Sequence, residues 1–184
     1  MNKKYTTQNQ LLLKNLMKYY NNNDYENLDK ILPIINGNSK LSIRIIDWFV
    51  TNYSKKNYTI YNIEKETGDI LRFKVYVDYK LKLKAYSKKR FDPFCRWDRI
   101  NIPYKDNTLI QTTIGQLNFF KWALDNKILE YIEENIDFIE EDMNNRNSIS
   151  KKAKNKTLKK RQELSISAVK SIKKEDIEII VKFD

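Results

Sequence analysis

The sequence predicts an α+β protein, and three observations support this fold class. Apolar residues recur at helical spacing near the start of the chain and again after residue 113. Between these segments, apolar and polar residues alternate with a period of two, as in strands with one buried face. After residue 145 the chain becomes strongly basic. We therefore predict one α+β domain over residues 1–145, a basic disordered tail over 146–175 and a candidate terminal strand over 176–184.

Helices are expected at the N-terminal end of this domain. Thr6 or Thr7 is predicted to cap the first helix and Asp24 the second, because these side chains accept hydrogen bonds from free amides of a first helical turn. Ser39 precedes a third helix, whose apolar residues recur at i, i+4, i+7 and i+8. These residues are Leu41, Ile45, Trp48 and Phe49. A stripe of this kind predicts an amphipathic core helix.

The middle of the domain is predicted to be an antiparallel β-meander of three or four strands. Two β-rich runs flank Gly68 in YTIYNIEKETGDILRFKVYV, which is the pattern of a hairpin. Residues 99–104 and 107–113 supply one or two further short strands. Short connections favour antiparallel neighbours. The second arm of the hairpin continues through residues 72–91, where the alternation predicts one long strand.

This predicted long strand has an apolar face and a basic face. The apolar face holds Phe73, Val75, Val77, Tyr79, Leu81, Leu83 and Ala85. The opposite face holds Arg72, Lys74, Tyr76, Asp78, Lys80, Lys82 and Lys84. Two interpretations remain open. The basic face is either an ordinary solvated face, since A/T-rich codons alone favour lysine, or an electrostatic binding surface.

A C-terminal helical segment is predicted to pack on the apolar face of the sheet, as one long helix or as two helices interrupted near Asp125–Asn126. Its apolar stripe consists of Leu117, Phe120, Leu124, Ile128, Ile132, Ile136 and Ile139. The opposite face is acidic, because eight Asp and Glu residues stand against Lys127 alone between positions 125 and 143. This face is either solvated or pairs with the basic tail, in cis or from a neighbouring copy.

The tail carries almost all of the net charge of +11. Between positions 146 and 174, eleven basic residues stand against Glu163 alone. This composition predicts disorder, with either non-specific polyanion binding or a basic nuclear-import patch. The segment DIEIIVKFD, residues 176–184, alternates apolar residues. It is predicted to be a strand at the sheet edge or a peptide that adds to a partner's sheet.

Candidate nucleic-acid-binding residues lie on the basic strand face, in the following loop and in the tail. Lysine side chains attract phosphates, tyrosine rings stack on bases, and arginine guanidinium groups fit phosphate oxygens. The candidates are Arg72, Lys74, Tyr76, Lys80, Lys82, Lys84, Lys88, Lys89, Arg90, Arg96, Arg99, Lys159, Lys160 and Arg161.

The predicted loop KKRFDPFCRWDRI, residues 88–100, concentrates aromatic and charged side chains. In one interpretation its aromatic rings pack beneath the sheet while Asp92 and Asp98 pair with Arg90 and Arg96. In the other, the arginines at positions 90, 96 and 99 form an anion site or a partner site.

The composition excludes several classes of enzyme. Histidine is absent and Cys95 is the one cysteine, which excludes His-based triads, Cys–His nucleophiles and an internal disulfide. Motifs for phosphate loops, dinucleotide binding and nucleophile elbows are also absent. We expect no cofactor and no metal. The remaining enzymatic alternative is a metal-dependent nuclease that uses Asp78 and Lys80 on one strand face.

Three segments resemble an uncharacterised protein family of nucleocytoplasmic large DNA viruses, especially mimivirus-like ones. They are LSIRIIDWFVTNYSKK, LKAYSKKRFDPFCR and TTIGQLNFFKWALDNKILEYI. The resemblance covers about residues 39–143, with the basic tail as an extension outside it. It implies a viral protein of the cytoplasmic virus factory or the virion, and it supplies no catalytic residues.

Together these patterns predict a non-enzymatic basic viral protein that binds DNA or RNA electrostatically and without sequence specificity, associated with the genome in the virion. The alternative is a structural or assembly protein that binds other virion proteins. No apolar run approaches the ~20 residues of a membrane-spanning helix, and we expect no signal peptide and no membrane association. The oligomeric state is left open.

Overall fold

The computed structural model describes residues 7–64, 67–94, 98–105 and 108–157. It confirms the α+β class, with helices at both ends of the described chain and short strands between them. The described chain divides into two units, with the boundary between residues 145 and 146. Among the described residues, no helix has the length and apolar character needed to cross a membrane.

The first two helices pack through their apolar faces. α1, Gln8–Tyr20, begins with a capping box in which the Thr7 hydroxyl accepts a hydrogen bond from the Gln10 amide at 3.3 Å. A 3₁₀ turn leads to α2, Glu26–Ile35. Asp24 does not cap α2, because it lies in that turn and Tyr25 occupies the position before the helix.

The next helical segment contains a π-helical turn. α3, Ile43–Trp48, is capped by Ser42, whose hydroxyl accepts from the Ile45 amide at 3.2 Å. The chain then continues through the π-helical residues Phe49–Tyr53 into α4, Ser54–Lys56. Leu41 lies before this helix and is nevertheless buried.

Two separate hairpins replace the predicted meander. β1, Ile60–Glu64, pairs only with β2, Ile70–Lys74, and β3, Arg99–Pro103, pairs only with β4, Leu109–Thr113. Within the described residues, the two sheets are not joined by a ladder. The reason is the length of the strands, since each hairpin is five residue pairs long and ends where a helix begins.

The predicted long strand over residues 72–91 is wrong. Only β2 is extended, and the chain turns into a helix, α5, over Val75–Tyr86. A strand of that length needs a partner of equal length, whereas β1 pairs only as far as Lys74. A helix satisfies its own backbone hydrogen bonds, and leucine, lysine and alanine favour it. It also buries Val75 and Tyr79 together, four residues apart.

The C-terminal segment forms three helices, rather than one or two. They are α6, Ile114–Asp125, α7, Ile128–Glu134, and α8, Ile136–Thr157. The first break follows Asp125, where Lys127 has a positive φ of 51°. α8 runs through Thr157, so the first residues of the predicted disordered tail are helical. The rest of that tail and the candidate strand over 176–184 lie outside the described residues.

α6 lies at the centre of the hydrophobic core. Its buried apolar residues are Leu117, Phe119, Phe120, Trp122 and Ala123. The Tyr20 hydroxyl donates a hydrogen bond to the Leu117 carbonyl at 2.8 Å and so joins α1 to α6. Phe91 is completely buried against α5 and α6, with four aromatic rings around it. This packing fixes α5 so that its other side faces outwards.

Candidate nucleic-acid interface

Two adjoining cavities lie along α5, one on the helix itself and one where α4, the β1–β2 hairpin and α5 meet. The first, the α5 groove, has a volume of about 560 Å³ and is lined by Tyr76, Val77, Lys80, Leu81, Leu83 and Lys84. The second, the Tyr58 cleft, has a volume of about 420 Å³ and is lined by Ser54, Lys55, Tyr58, Thr59, Ile60, Lys74, Tyr76 and Val77. Because the two cavities share Tyr76 and Val77, they form one continuous surface.

Helical spacing explains which α5 side chains line the groove. Lys80 and Lys84 are four residues apart and lie side by side on the helix, as do Val77 and Leu81. Both apolar side chains are more than half exposed, at 53% and 60%. Burial of Tyr79 on the opposite side holds this face towards solvent. The groove is therefore apolar along its length with two lysines beside it.

The cleft adds further basic and aromatic groups to this surface. The Lys55 ammonium lies 5.6 Å from the centroid of the Tyr76 ring, which is a cation–π distance. Lys74 projects from the exposed face of β2, opposite Ile60 in the hairpin register. We use the name tyrosine–lysine surface for six residues, Lys55, Tyr58, Lys74, Tyr76, Lys80 and Lys84.

The lysines of the tyrosine–lysine surface are available for a ligand. Lys55, Lys74, Lys80 and Lys84 take no part in the ion pairs that lysines form with aspartates and glutamates in the described parts of the chain. Grouped cations without nearby carboxylates create a positive potential that attracts phosphates.

Tyr58 has a backbone conformation that is unusual for its residue type. It follows the end of α4 with φ of +48°, and the Thr59 amide donates to the Ser54 carbonyl at 3.1 Å. This is the hydrogen bond of a Schellman motif, in which glycine normally takes the left-handed position. A side chain there costs about 1–2 kcal/mol. The Tyr58 ring is 84% exposed, so burial does not offset this cost. Strain at an exposed aromatic residue is typical of a functional position.

The structure brings together only some of the predicted binding residues. Lys74, Tyr76, Lys80 and Lys84 belong to the tyrosine–lysine surface. Arg72 is exposed on β2, two residues before Lys74 and on the same face of the hairpin. The strand face itself does not exist, and Lys82 is half-buried, because residues two apart on a helix point in different directions.

The remaining predicted residues have other partners or lie outside the described residues. Lys88 and Lys89 pair with Asp92 and Asp98 at 3.8 and 2.7 Å. Arg90 donates to the side chains of Gln8 and Asn9 on α1, and Arg99 donates to Gln111 across the second hairpin. The residues outside the described ranges are Arg96, Lys159, Lys160 and Arg161.

The aromatic loop follows its first interpretation in part. Phe91 is buried, whereas Phe94 is 47% exposed. Asp92 accepts a hydrogen bond from the Phe94 amide at 2.8 Å, which shapes the turn. Asp92 pairs with Lys88 and Asp98 with Lys89, and of the two arginines expected as partners only Arg90 lies within the described residues. The Arg90 fork is directed to α1, and so the described part of the loop does not form the arginine site.

Sequence reasoning missed Lys55 and Tyr58. Their segment, SKKNY, contains the same lysine and tyrosine composition that drew attention to residues 72–91. A further signal was available, because many helices end with a residue in the left-handed region, and SKKNY contains no glycine to take that position. That position displays a side chain beyond the helix end.

The groups proposed for a nuclease are not brought together. The Trp122 indole donates a hydrogen bond to Asp78 at 2.6 Å, so this carboxylate supports the core. Lys80 is exposed and lies on another side of α5. Among the described residues, no group of three or more Asp, Glu and Cys side chains could hold a metal ion.

A second polar cluster joins α2 to the loop after β3. Asp29 accepts hydrogen bonds from the Lys105 ammonium at 2.7 Å and from the Tyr104 hydroxyl at 2.5 Å. These bonds hold the pKa of Asp29 below its ordinary value, with the Lys105 bond as the main cause. The same bond to Asp29 raises the pKa of Lys105. A nucleophilic lysine needs a lowered pKa, and so this cluster is structural.

The Asp47 carboxyl on α3 has a raised pKa, and this shift makes the stability of the fold depend on pH. Burial raises the pKa of this carboxyl, and the charge of Asp92 raises it further, while Lys88 opposes the shift. A raised folded-state pKa means that the protonated form stabilises the fold, and this contribution is lost as pH rises through the folded-state pKa. We therefore expect Asp47→Asn to be more stable than the wild type at pH 7.

The pH dependence separates this effect from general repacking. Both Asp47 and its amide replacement are neutral in strong acid, so the difference in melting temperature should shrink as pH falls towards 3 and grow towards 7. Thermal melts followed by circular dichroism across this range measure it. A difference that is equal at all pH values would contradict the assignment of the shift to Asp47.

The fold and the site define an α+β protein with an exposed surface of lysine and tyrosine side chains. The model of a family of unknown function, DUF7197, matches residues 1–184, and the chain belongs to this family. An uncharacterized protein of Acanthamoeba polyphaga mimivirus is 45% identical over 171 residues, which is 90% of this chain and 64% of the relative. The chain thus spans less than two thirds of that relative's length. No solved structure matches it.

The predicted resemblance to an uncharacterised giant-virus family is confirmed by these relatives. Its extent is wider than residues 39–143. The family match includes both the N-terminal helices and the basic residues after position 145, so the tail is not an extension outside the family.

Proposed function

We propose that this protein is a non-enzymatic binder of single-stranded nucleic acid and that the tyrosine–lysine surface is its binding site. The observation that carries the proposal is the Tyr58 ring, 84% exposed on a strained backbone beside lysines without ion-pair partners in the described chain. Lysine ammonium groups contact phosphates while exposed rings stack on bases, which is how single strands are bound without sequence preference.

Single strands fit this surface better than duplexes. Stacking on Tyr58 and Tyr76 needs bases with a free face, which a duplex does not offer. The contacts involve phosphates and base faces, features that DNA and RNA share, and we propose binding to either. The mimivirus relative supports a viral protein, and we propose that it acts on the viral genome, in the cytoplasmic virus factory or in the virion.

The variant Tyr58→Gly tests the proposal because it should weaken nucleic-acid binding without lowering the free energy of unfolding. Glycine relieves the left-handed strain, so we expect the free energy of unfolding to be unchanged or raised by up to about 1 kcal/mol. Loss of the ring should weaken binding to single strands by about 1–3 kcal/mol. Chemical denaturation measures the first quantity, and fluorescence anisotropy with a labelled oligonucleotide measures the second.

Leu109→Gly is the matched control for this experiment, because Leu109 is 67% exposed and lies on the other hairpin. It should leave the affinity unchanged. If Tyr58→Gly binds single strands as tightly as the wild type, Tyr58 is not part of a stacking site and the proposal fails.

An assembly role is the second candidate function. Val77 and Leu81 expose an apolar strip that phosphates do not need, and exposed apolar patches often mark protein interfaces. Other virion proteins are the partners expected for such a role. A stoichiometric protein complex that persists at high salt would favour it over nucleic-acid binding.

A further inference from the structure

Two exposed patches on this chain have complementary chemistry. One is the α5 groove, where Val77 and Leu81 are exposed with Lys80 and Lys84 beside them. Its lysines make no ion pair with the described acidic residues. An apolar strip with positive charges beside it suits a partner with an apolar anchor among negative charges.

The second patch lies at the start of α8. Phe138 is 67% exposed, although its neighbours Ile139 and Met143 on the same helix are buried. Exposed acidic residues lie close to it in the chain, namely Glu134 at the end of α7 and Asp137 and Glu141 on α8. We use the name Phe138 patch for these four residues. The Phe138 patch therefore has both features that suit the α5 groove, namely an apolar anchor and negative charges around it.

We propose that the α5 groove of one copy of this chain binds the Phe138 patch of a second copy. The Phe138 ring packs against Val77 and Leu81, and carboxylates of the patch pair with Lys80 and Lys84. Large aromatic side chains in apolar pockets are the typical energetic centres of such interfaces. This inference goes beyond the proposed nucleic-acid binding, and because both contacts use Lys80 and Lys84, a second copy and a nucleic acid would compete for the groove.

A second copy is the favoured occupant because every copy carries both halves of the contact. When the groove of one copy binds the patch of another, one groove and one patch remain unoccupied. These can bind further copies or pair with each other to close a symmetric assembly. Although the chain as a whole is basic, the Phe138 patch is locally acidic, and its carboxylates are attracted by the groove lysines. The acidic face of the C-terminal helices then has a defined partner.

Sedimentation equilibrium of the full chain tests the contact over a concentration series at physiological ionic strength. The wild type should self-associate, and added salt should weaken the association. Phe138→Asp and Leu81→Asp should each raise the dissociation constant at least about tenfold. Both replaced residues are exposed, so both variants should retain wild-type circular dichroism. Leu109→Asp, at a residue that is also 67% exposed, is the control that should associate normally.

Mixing the two variants provides the decisive arm. Phe138→Asp retains an intact groove and Leu81→Asp retains an intact Phe138 patch, so an equimolar mixture should form heterodimers that neither variant forms alone. Three results would each overturn the proposal: a monomeric wild type at all concentrations, undiminished association of either variant, or no heterodimer in the mixture. None of these results would decide whether the protein binds single-stranded nucleic acid, which the anisotropy experiment measures.

Discussion

Phe91→Ala should lower the free energy of unfolding by about 3–5 kcal/mol, the usual cost of removing a fully buried phenylalanine ring. Phe91 is 0% exposed. Its ring centroid lies 5.5–6.0 Å from those of four other rings, Tyr79, Tyr86, Phe119 and Trp122. The side chain joins α5 to α6, so its loss leaves a cavity between the two helices. Chemical denaturation at pH 7 measures the change.

Phe94→Ala is the matched control for this prediction. Phe94 belongs to the same loop but is 47% exposed, and its loss should cost much less than that of Phe91. If the two variants lost equal stability, Phe91 would not be the residue that holds α5 against α6. The orientation of the tyrosine–lysine surface would then need another explanation.

Lys80→Glu with Lys84→Glu should weaken binding to single-stranded nucleic acid by at least roughly 20-fold at 0.1 M salt. The estimate follows from a salt slope of about 0.7 for each phosphate contact that is lost on a single strand. The slope of log affinity against log salt should fall by about 1.4 for the same reason. Titrations by fluorescence anisotropy at several salt concentrations measure both quantities. The comparison uses the full chain, so the basic residues after position 145 contribute equally to both proteins.

The matched control is Lys14→Glu with Lys18→Glu. These two exposed lysines are also four residues apart, but they lie on α1. Their replacement changes the net charge by the same amount, so the control measures the general electrostatic effect. Equal losses in both double variants would mean that net charge alone, rather than the surface beside Tyr76, determines affinity.

The double variant pairs Lys80 with Lys84, and not with Lys82, because residues 75–86 form a helix and not a strand. Alternation over residues 72–91 predicts that Lys80, Lys82 and Lys84 share one face, which holds for a strand. The segment has the period of a strand and also that of a helix, because Val75, Tyr79 and Leu83 recur four residues apart. Strand pairing stops at Lys74, and this non-local fact decides in favour of the helix.

Elements with local signals were predicted well. Thr7 caps α1, the turn at Gly68 joins two antiparallel strands, and the helical segments after residue 113 are present. Each of these features depends on side chains within a few residues. The division into separate hairpins depends on which strands meet in space, which periodicity does not contain.

Four of the six residues of the tyrosine–lysine surface could be predicted, for the same reason. Lys74, Tyr76, Lys80 and Lys84 were identified from their composition, because charge and aromatic content are local properties. Lys55 and Tyr58 join them through the contact between α4 and α5, some twenty positions apart in the chain. The lysines and arginine of the loop over residues 88–90 were also assigned to binding. Their partners within the protein, such as Gln8 and Asp98, are identified only by the tertiary structure.

The most direct test of the binding proposal is photo-cross-linking of the full chain to a bromouridine-containing single strand, with the linked residues identified by mass spectrometry. Aromatic side chains that stack on bases are the ones that react. We predict cross-links at Tyr58 and Tyr76, with the Tyr58 link abolished by excess unlabelled strand. Cross-links confined to residues 146–184, or to exposed rings away from α4 and α5, would contradict it.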